Sequence, residues 1–123
     1  MIQIDQSSPV PIYDQIKAGL KGMVAKGLLR PGDQAPSIRA LAETLRVNPN
    51  TVARAFRELS MEGFLESRRG EGNYISATAQ RQAQDGLDAV RLGLRESLRL
   101  ARRGGLVWPD IESLVRKVKG EEK

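Results

Sequence analysis

The sequence predicts a mainly helical protein with one small β-hairpin, a compact N-terminal unit being followed by a two-helix hairpin. Three observations lead there. Apolar residues recur at steps of three and four in five separate segments. Residues 64–76 instead read as two short strands around a loop containing glycine. Capping and turn residues, chiefly Pro, Gly, Ser and Asn, stand at the joints between these segments.

Met1 to Asp5 alternates apolar and polar residues, which predicts a short half-buried strand broken by Ser7 to Pro11. From Pro11, suited to the first helical position, Ile12, Ile16, Leu20, Met23 and Val24 define a first helix over about 11–26, with Gly27 as its stop. Gly19 and Gly22 inside it each cost roughly 1 kcal/mol relative to alanine, so tertiary packing or a closely approaching neighbour must hold this helix. After a Pro31-Gly32 turn, Ser37 caps a second helix whose buried stripe is Ile38, Leu41, Ala42 and Leu45. Arg46-Val47 interrupts. Asn48 then caps and Pro49 opens a third helix that buries Val52, Ala55, Phe56 and Leu59 and stops at Gly63.

The hairpin pairs Phe64 to Ser67 with Asn73 to Ser76 around a basic loop, Arg68 to Gly72. Beyond Ala77 a long amphipathic helix carries Ala79, Ala83, Leu87, Val90, Leu94, Leu98 and Ala101 on one side and arginines on the other, and Gly104-Gly105 ends it. A last helix starts at Trp108-Pro109-Asp110 with Leu106, Ile111, Leu114, Val115 and Val118 on its apolar face, and Gly120 to Lys123 is expected to fray. These segments divide at residue 76 into a first unit, 1–76, and a helical region, 77–123.

Composition narrows the chemistry. The 123 residues include no histidine and no cysteine, which excludes disulfides, thiolate zinc sites and catalysis by imidazole or thiol. No paired carboxylates or Ser-x-x-Lys arrangement marks a cleft, so neither an enzyme nor a cofactor or metal is expected. The net charge of +5, spread over both parts, favours a polyanionic partner. No apolar run reaches the roughly 18 residues of a membrane span, and the N-terminus has no signal-peptide pattern, so a soluble cytoplasmic protein without membrane association is expected.

Helix, helix, turn, helix, hairpin is the order of a winged helix-turn-helix, in which the third helix enters the DNA major groove and the hairpin leans on the flanking backbone. On the third helix Asn50, Arg54, Arg57 and Met61 lie opposite the buried stripe, with Thr51 and Glu58 at its margin. Asn can pair with an adenine edge, Arg with a guanine edge and Thr with phosphate or a thymine methyl. Candidate DNA-binding residues are therefore Ser37, Arg39, Asn48, Asn50, Thr51, Arg54, Arg68, Arg69 and Gly70. Arg39 follows the Ser37 cap and suits a phosphate, while Arg68, Arg69 and Gly70 combine two cations with a glycine that permits close backbone approach. The plainer reading is that Asn48, Asn50 and Thr51 only cap a helix and that the arginines are solvated. The aromatic residues are scattered, which argues for core packing over a base-stacking platform.

Several runs carry a resemblance: Pro11-Ile12-Tyr13-Asp14-Gln15-Ile16, Gly27 to Asp33, Pro36-Ser37-Ile38-Arg39, Leu41-Ala42, Asn48 to Ala55, Leu59, Glu62-Gly63 and Gly70-Glu71-Gly72. Over roughly residues 9–76 the chain resembles the GntR family of bacterial transcription regulators, most closely its YtrA-like subfamily. The resemblance implies that Arg39, Asn48 to Thr51 and Arg69-Gly70 approach DNA. Pro49 and Ala53 stand where several members use arginine to read a base, leaving Asn50 and Arg54 as candidates for that role.

The segment after residue 76 is too short for the large ligand-binding or aminotransferase-like domains of some relatives. Two amphipathic helices cannot bury both apolar faces alone, so a homodimer is expected through Leu87, Val90, Leu94, Leu98, Trp108, Ile111, Leu114 and Val115. YtrA-like relatives use such a hairpin to dimerise and often repress operons encoding ABC transporters. The implied function is a repressor that binds double-stranded DNA at an inverted repeat. The rival is a protein-interaction module on a winged-helix scaffold. Nothing in the sequence identifies an effector.

Overall fold

A computed structural model describes residues 2–122, and Met1 and Lys123, the outer ends of the expected leader strand and frayed tail, lie outside them. The elements are helices α1 (Ile12–Ala25), α2 (Ile38–Leu45) and α3 (Pro49–Met61), strands β1 (Leu65–Arg68) and β2 (Gly72–Ile75), and helices α4 (Ala79–Arg103) and α5 (Trp108–Glu121). The expected mainly helical fold with one antiparallel hairpin is what the chain adopts.

The leader is not a strand. Its alternation is present, with Ile2 buried and Ile4 half-buried, but the backbone bonds to a side chain instead of another strand. Gln15 accepts from the Asp5 N–H through Oε1 (2.7 Å) and donates through Nε2 to the carbonyls of Asp5 (3.0 Å) and Val10 (2.9 Å). Ile2 thereby lies against α1, where a Cβ on Gly19 would come within 2.8 Å of its side chain. Gly19 is thus the close approach that the helix needed, whereas Gly22 faces open space. Pro11 occupies the cap of α1 and the helix starts one residue later than expected, at Ile12.

The two short helices are joined as their sequence requires. Ser37 Oγ accepts from the Ala40 N–H (3.1 Å) at the start of α2, and Asn48 Oδ1 accepts from the Asn50 N–H (2.8 Å) at the start of α3. Arg46 closes α2 with φ of 56°, the left-handed conformation that glycine usually supplies. Arginine at this place concealed how tightly the turn closes.

Strands β1 and β2 pair Leu65 with Ile75 and Arg68 with Gly72. Residues 32–35 add a third edge that periodicity did not signal. Gly32 N–H donates to the Ile75 carbonyl (2.8 Å), Ile75 N–H to that of Asp33 (2.8 Å), and Ala35 N–H to that of Asn73 (2.8 Å). The stretch is too short and too polar to look like a strand, and Pro36 ends it at once.

The chain forms two compact units, the first ending at Gly86 and the second beginning at Leu87. Phe64, Ile16, Leu20, Leu59, Ile75, Val24 and Val52 are the fully buried centre of the first. That unit continues past the hairpin, beyond residue 76, because Ala79 and Ala83 of α4 are buried in its core. In the second unit the Gly104-Gly105 turn is closed by the Leu106 N–H on the Ala101 carbonyl (2.9 Å) and by Arg102 on the Leu106 carbonyl (3.0 Å). Helix α5 includes Gly120 and Glu121, so the expected fraying from Gly120 is not seen through Glu121.

Candidate nucleic-acid interface

Burial along α3 separates its two sides. Val52, Ala55, Phe56 and Leu59 are buried, while Asn50, Arg54, Arg57 and Met61 are exposed, Met61 at 85%. Asn48, Asn50 and Thr51 lie together at the start of the helix. The Asn48 carbonyl-type oxygen is occupied in the cap, and the side chains of Asn50 and Thr51 have no protein partner among the described residues. Arg39, the second residue of α2, is exposed and likewise unpaired among the described residues. Ser37 spends one lone pair of its hydroxyl on the cap, which leaves the O–H donor and a second lone pair for a ligand.

The arginines fall into two groups. Arg39, Arg57 and Arg69 make no ion pair among the described residues. Arg54 and Arg68 are each held on a tyrosine. The Arg54 guanidinium carbon lies 3.8 Å from the centre of the Tyr13 ring, and its Nε donates to Glu58 Oε2 at 3.2 Å. Arg68 lies 3.8 Å from the centre of the Tyr74 ring and 3.9 Å from Glu66. Arg68 therefore belongs to strand β1, not to the loop tip where the sequence placed it, because pairing with Gly72 extends the ladder by one residue. Arg69 and Gly70 do form the tip. Gly70 takes φ of +77°, and Gln34 steadies the turn by donating from Nε2 to the Glu71 carbonyl (2.6 Å).

Behind the exposed face, a chain of charges ties α3 to α1. Lys17 bonds to Glu58 (2.9 Å) and to Glu62, and Lys21 bonds to Glu62 (2.9 Å). Bonds from Glu62 and Glu58 raise the Lys17 ammonium above its usual range, and the bond from Lys17, then that from Arg54, holds the Glu58 carboxyl below its own. Burial pushes Glu62 upward, yet the bonds from Lys17 and Lys21 outweigh it and leave this carboxyl low as well. The network braces α3 against α1 and, through Glu58, reaches Arg54 on the exposed face. An open groove of about 470 Å³ runs between α3 and the hairpin, lined by Ala53, Arg57, Ser60, Met61, Ser67 and Asn73.

Two further residues border this surface. Arg57, on the exposed face but not among the candidates, has an unpaired guanidinium and lines this groove. The scatter of aromatic residues predicts packing for Tyr13, whereas its contact with Arg54 crosses between helices, where no sequence spacing could announce it.

A three-helix unit whose third helix turns a polar face outward beside a β-hairpin is a winged helix-turn-helix of the kind that regulates transcription on DNA. Residues 12–75 match the family described as bacterial regulatory proteins, gntR family, and the chain belongs to that family. The HTH-type transcriptional repressor YtrA of Bacillus subtilis (strain 168) is 36% identical over 124 residues, covering 100% of this chain and 95% of that protein. This places the chain with the YtrA-like members, since the likeness runs through the C-terminal helices. Among solved structures, a GntR family transcriptional regulator from Listeria monocytogenes gives a TM-score of 0.69 at 28% identity, covering 93% of this chain and 98% of that one. YtrA from Sulfolobus acidocaldarius, a GntR-family transcription factor, gives 0.60 at 37% identity, covering 75% and 97%. The protein is thus a DNA-binding transcriptional regulator, and the interaction-module reading is not favoured.

Proposed function

We propose that the protein is a cytoplasmic repressor that binds an inverted-repeat operator as a homodimer. The observation that carries this is the unpartnered polar face formed by Asn50, Thr51 and Arg57 of α3 with Arg39 of α2. Asn50 and Thr51 suit base edges in the major groove, and Arg39 and the Arg69-Gly70 tip suit phosphates. Dimerisation is supported by the second unit, where Leu94, Leu98, Ala101, Ile111, Leu114 and Val118 line an apolar groove of about 430 Å³ between the two helices. Leu87, Val90, Trp108 and Val115 are also exposed. A second copy of the same hairpin is the occupant that would cover these residues and give the two reading helices one symmetry axis. Half-sites would then lie about one helical turn apart, or a multiple of it. The related Bacillus protein is itself named a repressor, which supports blocking of a promoter as the outcome.

The test is a titration of a promoter-derived and a random duplex at several salt concentrations. Steep salt dependence with at least about a thousand-fold preference for the promoter duplex is expected. Arg39→Ala should weaken both duplexes alike and lower the salt slope by about one. Weak, salt-insensitive binding to both duplexes would defeat the reading.

A further inference from the structure

We propose that Tyr13 is a positioning residue that, together with Glu58, holds Arg54 as the specificity-determining guanidinium of the interface. This rests on the DNA-reading function proposed above. An arginine on an exposed helix face samples many rotamers, and ordering it on a ligand opposes binding. Here the ordering precedes the ligand. The Tyr13 ring, against which the Arg54 guanidinium lies, limits the tilt of that group. The Nε bond to Glu58 restricts how the group turns over the ring. Both terminal nitrogens, Nη1 and Nη2, remain without a protein partner among the described residues, and the side chain is 53% exposed. What is left is a two-donor edge on a preset group, suited to the O6 and N7 acceptors of a guanine.

Glu58 would be an awkward neighbour for DNA were it free. It is not free, because Lys17 occupies its other oxygen at 2.9 Å, which both fixes the carboxylate and offsets its repulsion of phosphates. Arg39 and Arg57 have no such support and act as mobile cations, favouring any duplex equally. Arg54 therefore separates operator from random DNA, although it is the one arginine on the α3 face that is engaged within the protein.

The experiment is a double-mutant cycle on full-length protein, using the promoter-derived and random duplexes and checking each variant by thermal melting. Arg54→Ala and Tyr13→Leu should each reduce operator affinity by about ten-fold and leave random-duplex affinity within about two-fold. Tyr13→Phe keeps the ring and should retain operator affinity. In the Arg54→Ala background, Tyr13→Leu should cost nothing further, which a merely structural tyrosine would not satisfy. Additive losses overturn the positioning role, and equal losses on both duplexes overturn the specificity role. If Tyr13→Leu melts, Arg54→Lys carries the test: it keeps the charge without the fork, so unchanged operator affinity overturns the proposal. Wild-type protein that fails to prefer the promoter duplex would defeat the DNA-reading function as well, whereas normal wild-type preference with an additive cycle defeats only this inference.

Discussion

The two units of this chain use the same kind of amphipathic helix and end in different states. In the first, α1 and α3 turn Ile16, Leu20, Val24, Val52 and Leu59 inward, and the hairpin and the start of α4 close the core around Phe64. In the second, Ile111 is the one buried hydrophobic among the described residues, at 7% exposure, while Val90, Leu94, Trp108, Leu114, Val115 and Val118 each expose about half their surface or more. A helix pair has two faces and can bury one seam, whereas three helices and a hairpin enclose a volume. The difference teaches that the first unit encloses its core within one chain, whereas the second leaves most of its apolar surface uncovered, the surface assigned above to the proposed homodimer.

That contrast can be broken most severely from inside the first unit. Phe64 is fully buried, and Phe64→Ala should cost about 3–5 kcal/mol of unfolding free energy in urea denaturation. A loss below about 1 kcal/mol would mean that the core does not depend on its centre. The second unit should respond in the opposite way. Leu114 and Val118 are exposed at 53% and 55%, so replacing both with glutamate should hardly disturb folding. The proposed homodimer should nevertheless fall to a monomer in sedimentation, with operator affinity lowered by about a hundred-fold as two linked contacts become separate ones. Unchanged sedimentation would refute the assignment of that face.

The smallest effect sharpens the comparison at the surface of the first unit. Glu58 and Glu62 lie below their ordinary 4.5, so the stability they add is complete above that value and is lost as the pH falls through their lowered range. Lys17 lies above its ordinary 10.5, so its contribution is complete below that value and disappears as the pH rises through its raised range. The network should therefore act at full strength between about pH 5 and pH 10. Lys17→Met should remove part of the fall in melting temperature between pH 7 and pH 3.5, by a few degrees at most, since exposed pairs are screened. Equal falls in both proteins would show that these charges do not brace α3.

Much of the fold was legible because it is local. The caps at Ser37 and Asn48 act within three residues, and the burial of Val52, Ala55, Phe56 and Leu59 follows from a repeat of 3.6 residues. The hairpin was legible from two short strands around a glycine-containing loop, although its ladder takes in Arg68. The leader was misread as a strand because its side chains alternate without a pairing partner, and only Gln15, ten residues away from Asp5, explains how its backbone is satisfied. The edge at residues 32–35 escaped for the converse reason: it pairs without alternating. Of the candidate site, Asn50 and Thr51 were legible from their place at a helix start, while the difference between a held and a free arginine was not.

Taken alone, the sequence determined which segments form helices, which side of each helix is apolar, where Ser37 and Asn48 cap them and that α3 turns a polar, arginine-bearing face away from the core. Those properties depend on neighbours within one or two turns and on composition, which a linear string records. Only the tertiary structure decided that Arg54 rests on Tyr13 while Arg57 stands free, that Gln34 steadies the hairpin tip, and that the core of the first unit reaches into α4. These depend on which side chains meet across elements distant in sequence, and short-range periodicity carries no information about that.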